Sequence, residues 1–260
     1  MASTPALKEW RHYVPRGFVS VSGVELPSPY RDEDEVTMSY ETLNELKSPG
    51  ESIFVFVYDN RRDVDFHVVL DLIGKSDAPM VTFKSFSEGL TYSLRNTPSI
   101  LTVVSTDPPA GVVTLVFNSY GKVAIPRYEL RREPLGFLKT EITDERALNE
   151  LITEASTSLT SRILAKLSRS KGVKDRGVKV VNGFIHNPRI LDRILASLKL
   201  KNADSAIAEE LKRSGYKGSL GVALALTRVV EKCHSDERLV FVSGSVSEGI
   251  IVLYMKCSGG

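Results

Sequence analysis

Ile100–Phe117 (ILTVVSTDPPAGVVTLVF) and Arg238–Met255 (RLVFVSGSVSEGIIVLYM) superpose without a gap, residue 100 lying over residue 238 at an offset of 138. Each stretch is an apolar run, a turn that keeps one glycine at the same place (Gly111, Gly249), and a second apolar run. That order reads as a β-hairpin. Its recurrence implies a doubled fold in which one hairpin closes each half. The halves are expected to span 10–120 and 121–257.

Working outward, a similar succession precedes each hairpin. In the first half Val19–Val24 alternates as a strand does. The acidic run Asp32-Glu33-Asp34-Glu35 then opens a segment with apolar Val36, Met38, Tyr40 and Leu43; acids in a first helical turn complement the helix dipole. Ile53–Tyr58 is an unbroken run of β-branched and aromatic residues, as in a strand covered on both faces. Val64–Ile73 reads as a short helix, Met80–Phe83 as a strand and Ser87–Arg95 as a helix feeding the hairpin. In the second half Lys122–Ile125 is a strand. Glu145–Ser170 carries Leu148, Leu151, Ile152, Ala155, Leu159, Ile163 and Leu167 at helical spacing. Val178–Val181 is a buried strand, and Arg189–Leu198, Ala206–Arg213 and Ser219–Lys232 are helices. Alternating strands and helices predict an α/β protein with a mostly parallel sheet. No long Gly/Ser linker separates the halves, so they are expected to share one body.

At 260 residues the chain can bury a substantial core, and its 42% hydrophobic and 25% charged residues are ordinary globular values. The net charge of +2 is the near-cancellation of 34 basic and 32 acidic side chains, which argues against nucleic acid as a partner. Met1–Tyr13 has no apolar core of a secretory leader, so the cytoplasm is the expected address. Runs such as Ile53–Tyr58 and Leu220–Leu226 fall far short of the ~20 residues of a membrane helix, and no span is expected. Cys233 and Cys257 are too few for a disulfide framework and have no metal-ligand spacing to each other or to histidine. They are expected to be inert thiols, with no metal site.

His186, in Gly183-Phe184-Ile185-His186-Asn187-Pro188, follows a buried strand and precedes a helix. Ligands gather at the carboxyl ends of parallel strands, where a histidine serves as general base or oxyanion donor; the alternative is a hydrogen-bonded structural histidine. The loop Ser243-Gly244-Ser245-Val246-Ser247-Glu248-Gly249 could cradle an anion or a thioester oxygen with its backbone N–H groups, or it is simply a hairpin turn. Arg162, Lys166, Arg169, Lys171, Lys174, Arg176 and Lys179 form a basic cluster that either meets ligand phosphates or is a solvated face. No phosphate-loop pattern occurs, so nucleotide hydrolysis and dinucleotide redox chemistry have no support.

The doubled order, the His-Asn-Pro site and the closing hairpin together resemble the thiolase superfamily, and within it the archaeal type of hydroxymethylglutaryl-CoA synthase. The likeness is carried by Tyr13-Val14-Pro15-Arg16, by Asp32-Glu33-Asp34 with Val36-Thr37-Met38, by Phe83–Leu90, by Phe184–Pro188 and by Gly215 through Gly249. It spans nearly the whole chain in shortened form. It implies a thiolase-like fold, two pseudo-symmetric strand-helix halves in a layered α-β-α-β-α body, and a link to acyl-CoA chemistry of the mevalonate kind.

That chemistry needs a cysteine thiolate activated at a helix N-terminus. Matched residue by residue, the family's nucleophile loop falls on Ser85-Phe86-Ser87-Glu88-Gly89, which puts Phe86 at the nucleophile. The family histidine falls on His186, and the family asparagine is replaced by Tyr216. A phenyl ring cannot be acylated. The resemblance therefore implies a degenerate relative, a non-catalytic subunit of an acyl-CoA-processing assembly. Two other readings stay open: an acyl-CoA-dependent decarboxylase, hydrolase or acyltransferase using His186 with Ser85, Ser87 or Glu88, and a CoA-binding module. Ser85, Ser87, Gly244, Ser245 and Gly249 are the candidate ligand-binding residues. No cofactor is expected, coenzyme A being the candidate ligand. The implied partners are a second copy or an active thiolase-fold relative, paired through the edge strand Met80–Phe83, and a zinc-ribbon/OB-fold protein.

Overall fold

The computed structural model describes residues 18–21, 34–46, 51–58, 64–118, 123–131, 157–158, 161, 165, 178–185, 188–197, 201, 203–245 and 249–257. The first half holds β1 (Phe18–Val21), α1 (Glu35–Asn44), β2 (Ile53–Tyr58), α2 (His67–Leu72), β3 (Met80–Phe83), α3 (Phe86–Arg95), β4 (Ser99–Ser105) and β5 (Gly111–Asn118). The second holds β6 (Val123–Arg131), β7 (Val178–Asn182), α4 (Pro188–Ser197), β8 (Ala203–Asp204), α5 (Ala206–Arg213), α6 (Gly218–Glu231), β9 (Arg238–Ser245) and β10 (Gly249–Cys257). Thr157, Ser158, Ser161 and Ala165 are helical, and the rest of the Glu145–Ser170 segment lies outside the described residues.

Strand order makes the duplication explicit. The ten strands run β3-β2-β4-β5-β1-β6-β10-β9-β7-β8. Within each half the order is third, second, fourth, fifth, first. Directions repeat as well: β2 is parallel to β3 and β4, and β7 to β8 and β9, whereas the hairpin strand is antiparallel to both neighbours. The halves meet where β1 pairs with β6, Phe18 opposite Ala124 and Val19 opposite Val123.

Alternation along β2 sorts its side chains between two cores. Phe54, Phe56 and Tyr58 join Met38 and Leu43 of α1 and Val69 and Leu70 of α2 in an outer cluster, with Phe56 stacked on Phe66 at 4.3 Å. Val55 and Val57 face the other way, into a central cluster that holds α3, α6 and residues of both half-sheets. The 138-residue offset keeps its central positions: Leu101 and Leu239, Val103 and Phe241, Val113 and Ile251, Leu115 and Leu253, Phe117 and Met255 all lie in that cluster. α3 and α6 thus form a helical layer against strands of both halves.

Local chemistry sets the element ends. Asp34 caps α1, its Oδ1 accepting from Thr37 N at 2.7 Å, and Glu35 sits in the first turn. β6 continues past the expected Ile125 to Arg131. Pro126 has no N–H for the ladder, which hides the strand from a pattern reading. The structure accommodates it where the β6–β10 register shifts, between Tyr254 and Lys256. The two hairpins also differ. Ser105 faces Gly111 in the first, whereas Gly249 faces Ser245 in the second, two residues beyond the position that the gapless repeat would pair. A slip of two keeps every side chain on its face.

Candidate functional site

α3 begins where the resemblance sets the nucleophile. Ser85 is its N-cap, accepting from Glu88 N at 3.4 Å, and its hydroxyl also lies 3.2 Å from that of Ser87. Phe86 is the first helical residue and is wholly buried. Its N–H donates to Ser219 Oγ at 3.2 Å. Ser219 is the second residue of α6, so the N-termini of the two central helices meet here.

The starts of these helices correspond residue for residue, Ser87-Glu88-Gly89 in α3 answering Ser219-Leu220-Gly221 in α6. Both glycines are demanded by packing. A Cβ on Gly89 would stand 2.4 Å from Val57 Cγ2 and 2.9 Å from Leu101 Cδ1, and one on Gly221 would stand 2.7 Å from Phe184 Cζ. The periodicity of the sequence hid this correspondence because a serine and a glycine carry no hydrophobic signal.

Phe184 lies in the turn after β7, so its ring over Gly221 brings the Gly183-Phe184-Ile185 turn to the same place. Asn182 shapes that turn. Its Oδ1 accepts from Ile185 N at 2.8 Å, and its Nδ2 donates to Ile185 O at 3.2 Å and lies 3.4 Å from Ser205 Oγ. A cavity of about 140 Å³ opens beside Asn182, Phe184, Ile185 and Ser205. His186 itself lies outside the described residues, as does Asn187. Tyr216, at the foot of α6, is buried in the central cluster with Phe86 and Phe184. Gly215 precedes it at φ +83, a left-handed conformation that suits glycine.

The loop 243–249 is a hairpin end, Gly244 buried and Ser245 paired with Gly249; residues 246–248 lie outside the described set. Ser243, the first residue of that loop, shares the parity of Leu239 and Phe241. Its buried hydroxyl has no hydrogen-bond partner among the described residues. Of the basic cluster only Lys179 is described, and it bonds Asp204 at 2.8 Å. That hydrogen bond holds the Asp204 carboxyl below the usual carboxylate range, helped by Ala206 N, and raises Lys179 above the usual lysine range against partial burial. Lys179 therefore ties β7 to β8. A larger cavity of about 880 Å³, with Ile53, Lys75, Asp77, Arg95 and Pro98 among its lining, lies at the opposite end of α3 from Phe86.

The expectation of inert thiols is corrected. Cys233 and Cys257 form a disulfide with a Cα–Cα distance of 5.7 Å. Their separation of 24 residues gave no hint of this, because only the return of β10 alongside β9 brings Cys257 back to the end of α6. α6 is about 21 Å long at ~1.5 Å per residue, so the cystine sits about that far from the Ser219–Phe86 contact.

No protein-family model matches the chain, and no curated protein sequence does. Solved structures do match. The tetronic acid condensing enzyme AbyA1 superposes with a TM-score of 0.64 at 16% identity, over 94% of this chain and 98% of that one. The acyltransferase ChlB3 gives 0.63 at 14%, over 93% and 98%. The 3-oxoacyl-(acyl carrier protein) synthase III from Pseudomonas aeruginosa PAO1 gives 0.53 at 14%, over 80% and 77%.

The chain has the thiolase fold.

Identities this low carry the fold and nothing finer. Within the thiolase fold the two central helices are α3 and α6, and the residues brought together at their N-termini are Phe86, Ser219, Gly221 and Phe184. Among the described residues no helix is long and apolar enough to cross a membrane.

Proposed function

We propose that this protein is a thiolase-fold subunit without acyl-cysteine chemistry, a non-catalytic member of an acyl-CoA-processing assembly. One observation carries the reading: a wholly buried phenyl side chain, Phe86, begins α3, where an acyl-accepting thiolate would gain from the helix dipole. The chain's two cysteines offer no substitute, being joined to each other near the far end of α6. Ser85 is engaged as the cap of α3, and its neighbour Ser87 lies against it, which does not favour a serine nucleophile.

The sequence likeness to archaeal hydroxymethylglutaryl-CoA synthases supplies the partners: a thiolase and a zinc-ribbon/OB-fold protein. Dimerisation through β3, with a second copy or an active relative, fits a strand paired among the described residues with β2 alone.

Pull-down of the full chain from its native host, with acetyl-CoA calorimetry and turnover assays on the pure protein, tests the reading. Recovery of a thiolase-fold or zinc-ribbon partner without turnover is expected. Turnover that vanishes in His186→Ala would replace this reading with the enzyme, and acetyl-CoA binding without turnover or partner would leave a CoA-binding module.

A further inference from the structure

We propose that Cys233, Cys257 and Glu237 form a redox-gated site for one thiophilic divalent cation of the zinc class, closed in the disulfide form and open when the pair is reduced. Their donor atoms, two sulfurs and a carboxylate oxygen, all lie within 4.8 Å of one another. Two thiolates and a carboxylate are a zinc-type donor set, and three protein ligands leave the fourth tetrahedral position to water. Both sulfurs belong to buried residues and Glu237 is half-buried, so the third donor faces the solvent side.

The backbone holds these residues together without the S–S bond. Asp236 N donates to Cys257 O at 3.1 Å, and Cys257 N donates to Glu237 O at 2.9 Å. Lys256 pairs with Arg238 in the β9–β10 ladder beside them. Rotation about the two Cα–Cβ bonds separates the sulfurs while the backbone stays in place. Glu237 Oε2 already accepts from His234 N at 3.2 Å, which orients the carboxylate and leaves further lone pairs for a cation.

Opening the disulfide takes two electrons and two protons from an added dithiol, which leaves as its own cyclic disulfide. The cation then displaces the two thiol protons into solvent. The site is independent of the proposed function, since it lies at the other end of α6.

The test uses the full chain, reduced with dithiothreitol, desalted under argon and shown to be folded by its thermal transition, then titrated with Co²⁺. Expected is one equivalent of Co²⁺ bound with sulfur-to-cobalt charge-transfer and tetrahedral visible bands, displaced by Zn²⁺ and absent from the oxidised chain. Glu237→Gln should keep the sulfur-to-cobalt bands, since both thiolates remain, and weaken the affinity by at least the roughly 10-fold that losing even an outer-shell partner of a ligand costs. Cys257→Ser should lose the charge-transfer intensity of one sulfur; if that variant does not fold, Glu237→Gln decides alone. No bands in the reduced wild type, equal bands in the oxidised chain, or wild-type affinity in Glu237→Gln would overturn the proposal.

Discussion

The same junction, from central helix to hairpin strand, is built in two ways. In the first half α3 runs into β4 through Asn96–Pro98, and short side chains secure it: Asn96 Nδ2 donates to Tyr92 O at 2.8 Å, Thr97 Oγ1 to Ser93 O at 3.3 Å and Ser99 Oγ to Ser93 O at 3.1 Å. In the second half α6 runs into β9 through residues 232–237, and a covalent bond from Cys233 to Cys257 secures the longer path. A short junction is ordered by local hydrogen bonds. A longer one has more conformational entropy to lose, and a cross-link removes part of it from the unfolded chain. The helix starts diverge too: the residue of α6 matching Phe86 is Gly218, so only α3 begins with a buried ring.

The largest expected effect breaks this second contrast. Phe86→Ala should empty a wholly buried site and cost about 3–5 kcal/mol, read from denaturant unfolding; a loss under about 1 kcal/mol would mean that the ring fills no core. Next, replacing Cys233 and Cys257 together by serine should cost about 3.5 kcal/mol, the loop-entropy value for a closed loop of this length. Equal stability of the variant and the oxidised wild type would show that the junction of α6 needs no cross-link.

Gly89→Ala should destabilise by about 1–3 kcal/mol and Gly221→Ala by less. The first inserts a methyl against Val57 and Leu101 in the sheet, whereas the second meets a ring carried on a turn. The reverse order would place the tighter half of the central layer in α6. The smallest effect concerns β7 and β8. Asp204→Asn should cost under about 1 kcal/mol near neutral pH, since the pair is partly exposed. The folded-state carboxyl lies below its unfolded value of about 3.9, so its contribution is present above that pH and fades as pH falls through the lower folded value. For Lys179 the contribution persists below about 10.4 and fades as pH rises past the folded value above it. The gap between wild type and variant should narrow as pH falls below about 3.9; a gap that stays constant with falling pH would assign the effect to something other than this charge.

Much of the fold was legible because burial writes a periodic pattern into the residues. The run Ile53–Tyr58 and the segment Ala206–Arg213 appear as read, and the hairpins recur at the offset at which they were recognised. β6 was cut short in the sequence reading at Pro126, which has no donor for the ladder and lies where the β6–β10 register shifts. Around the candidate site, Phe86, Ser85 and Tyr216 could be singled out from local pattern and resemblance. Ser219 and Gly221 could not, since their significance is a contact with an element distant in the chain, the start of α3 for Ser219 and the turn after β7 for Gly221. His186 lies outside the described residues, so its role rests on sequence alone.

By itself, then, the sequence determined the α/β class, the duplication and the want of a cysteine at the head of α3, because residue type and spacing record which faces are buried and which groups are present. Only the tertiary structure decided that Ser219 bonds Phe86, that glycines at matched positions let two helices approach their neighbours, and that Cys233 meets Cys257. Those outcomes depend on strand order and register, and one-dimensional spacing does not contain the distance between residues that the sheet folds back together.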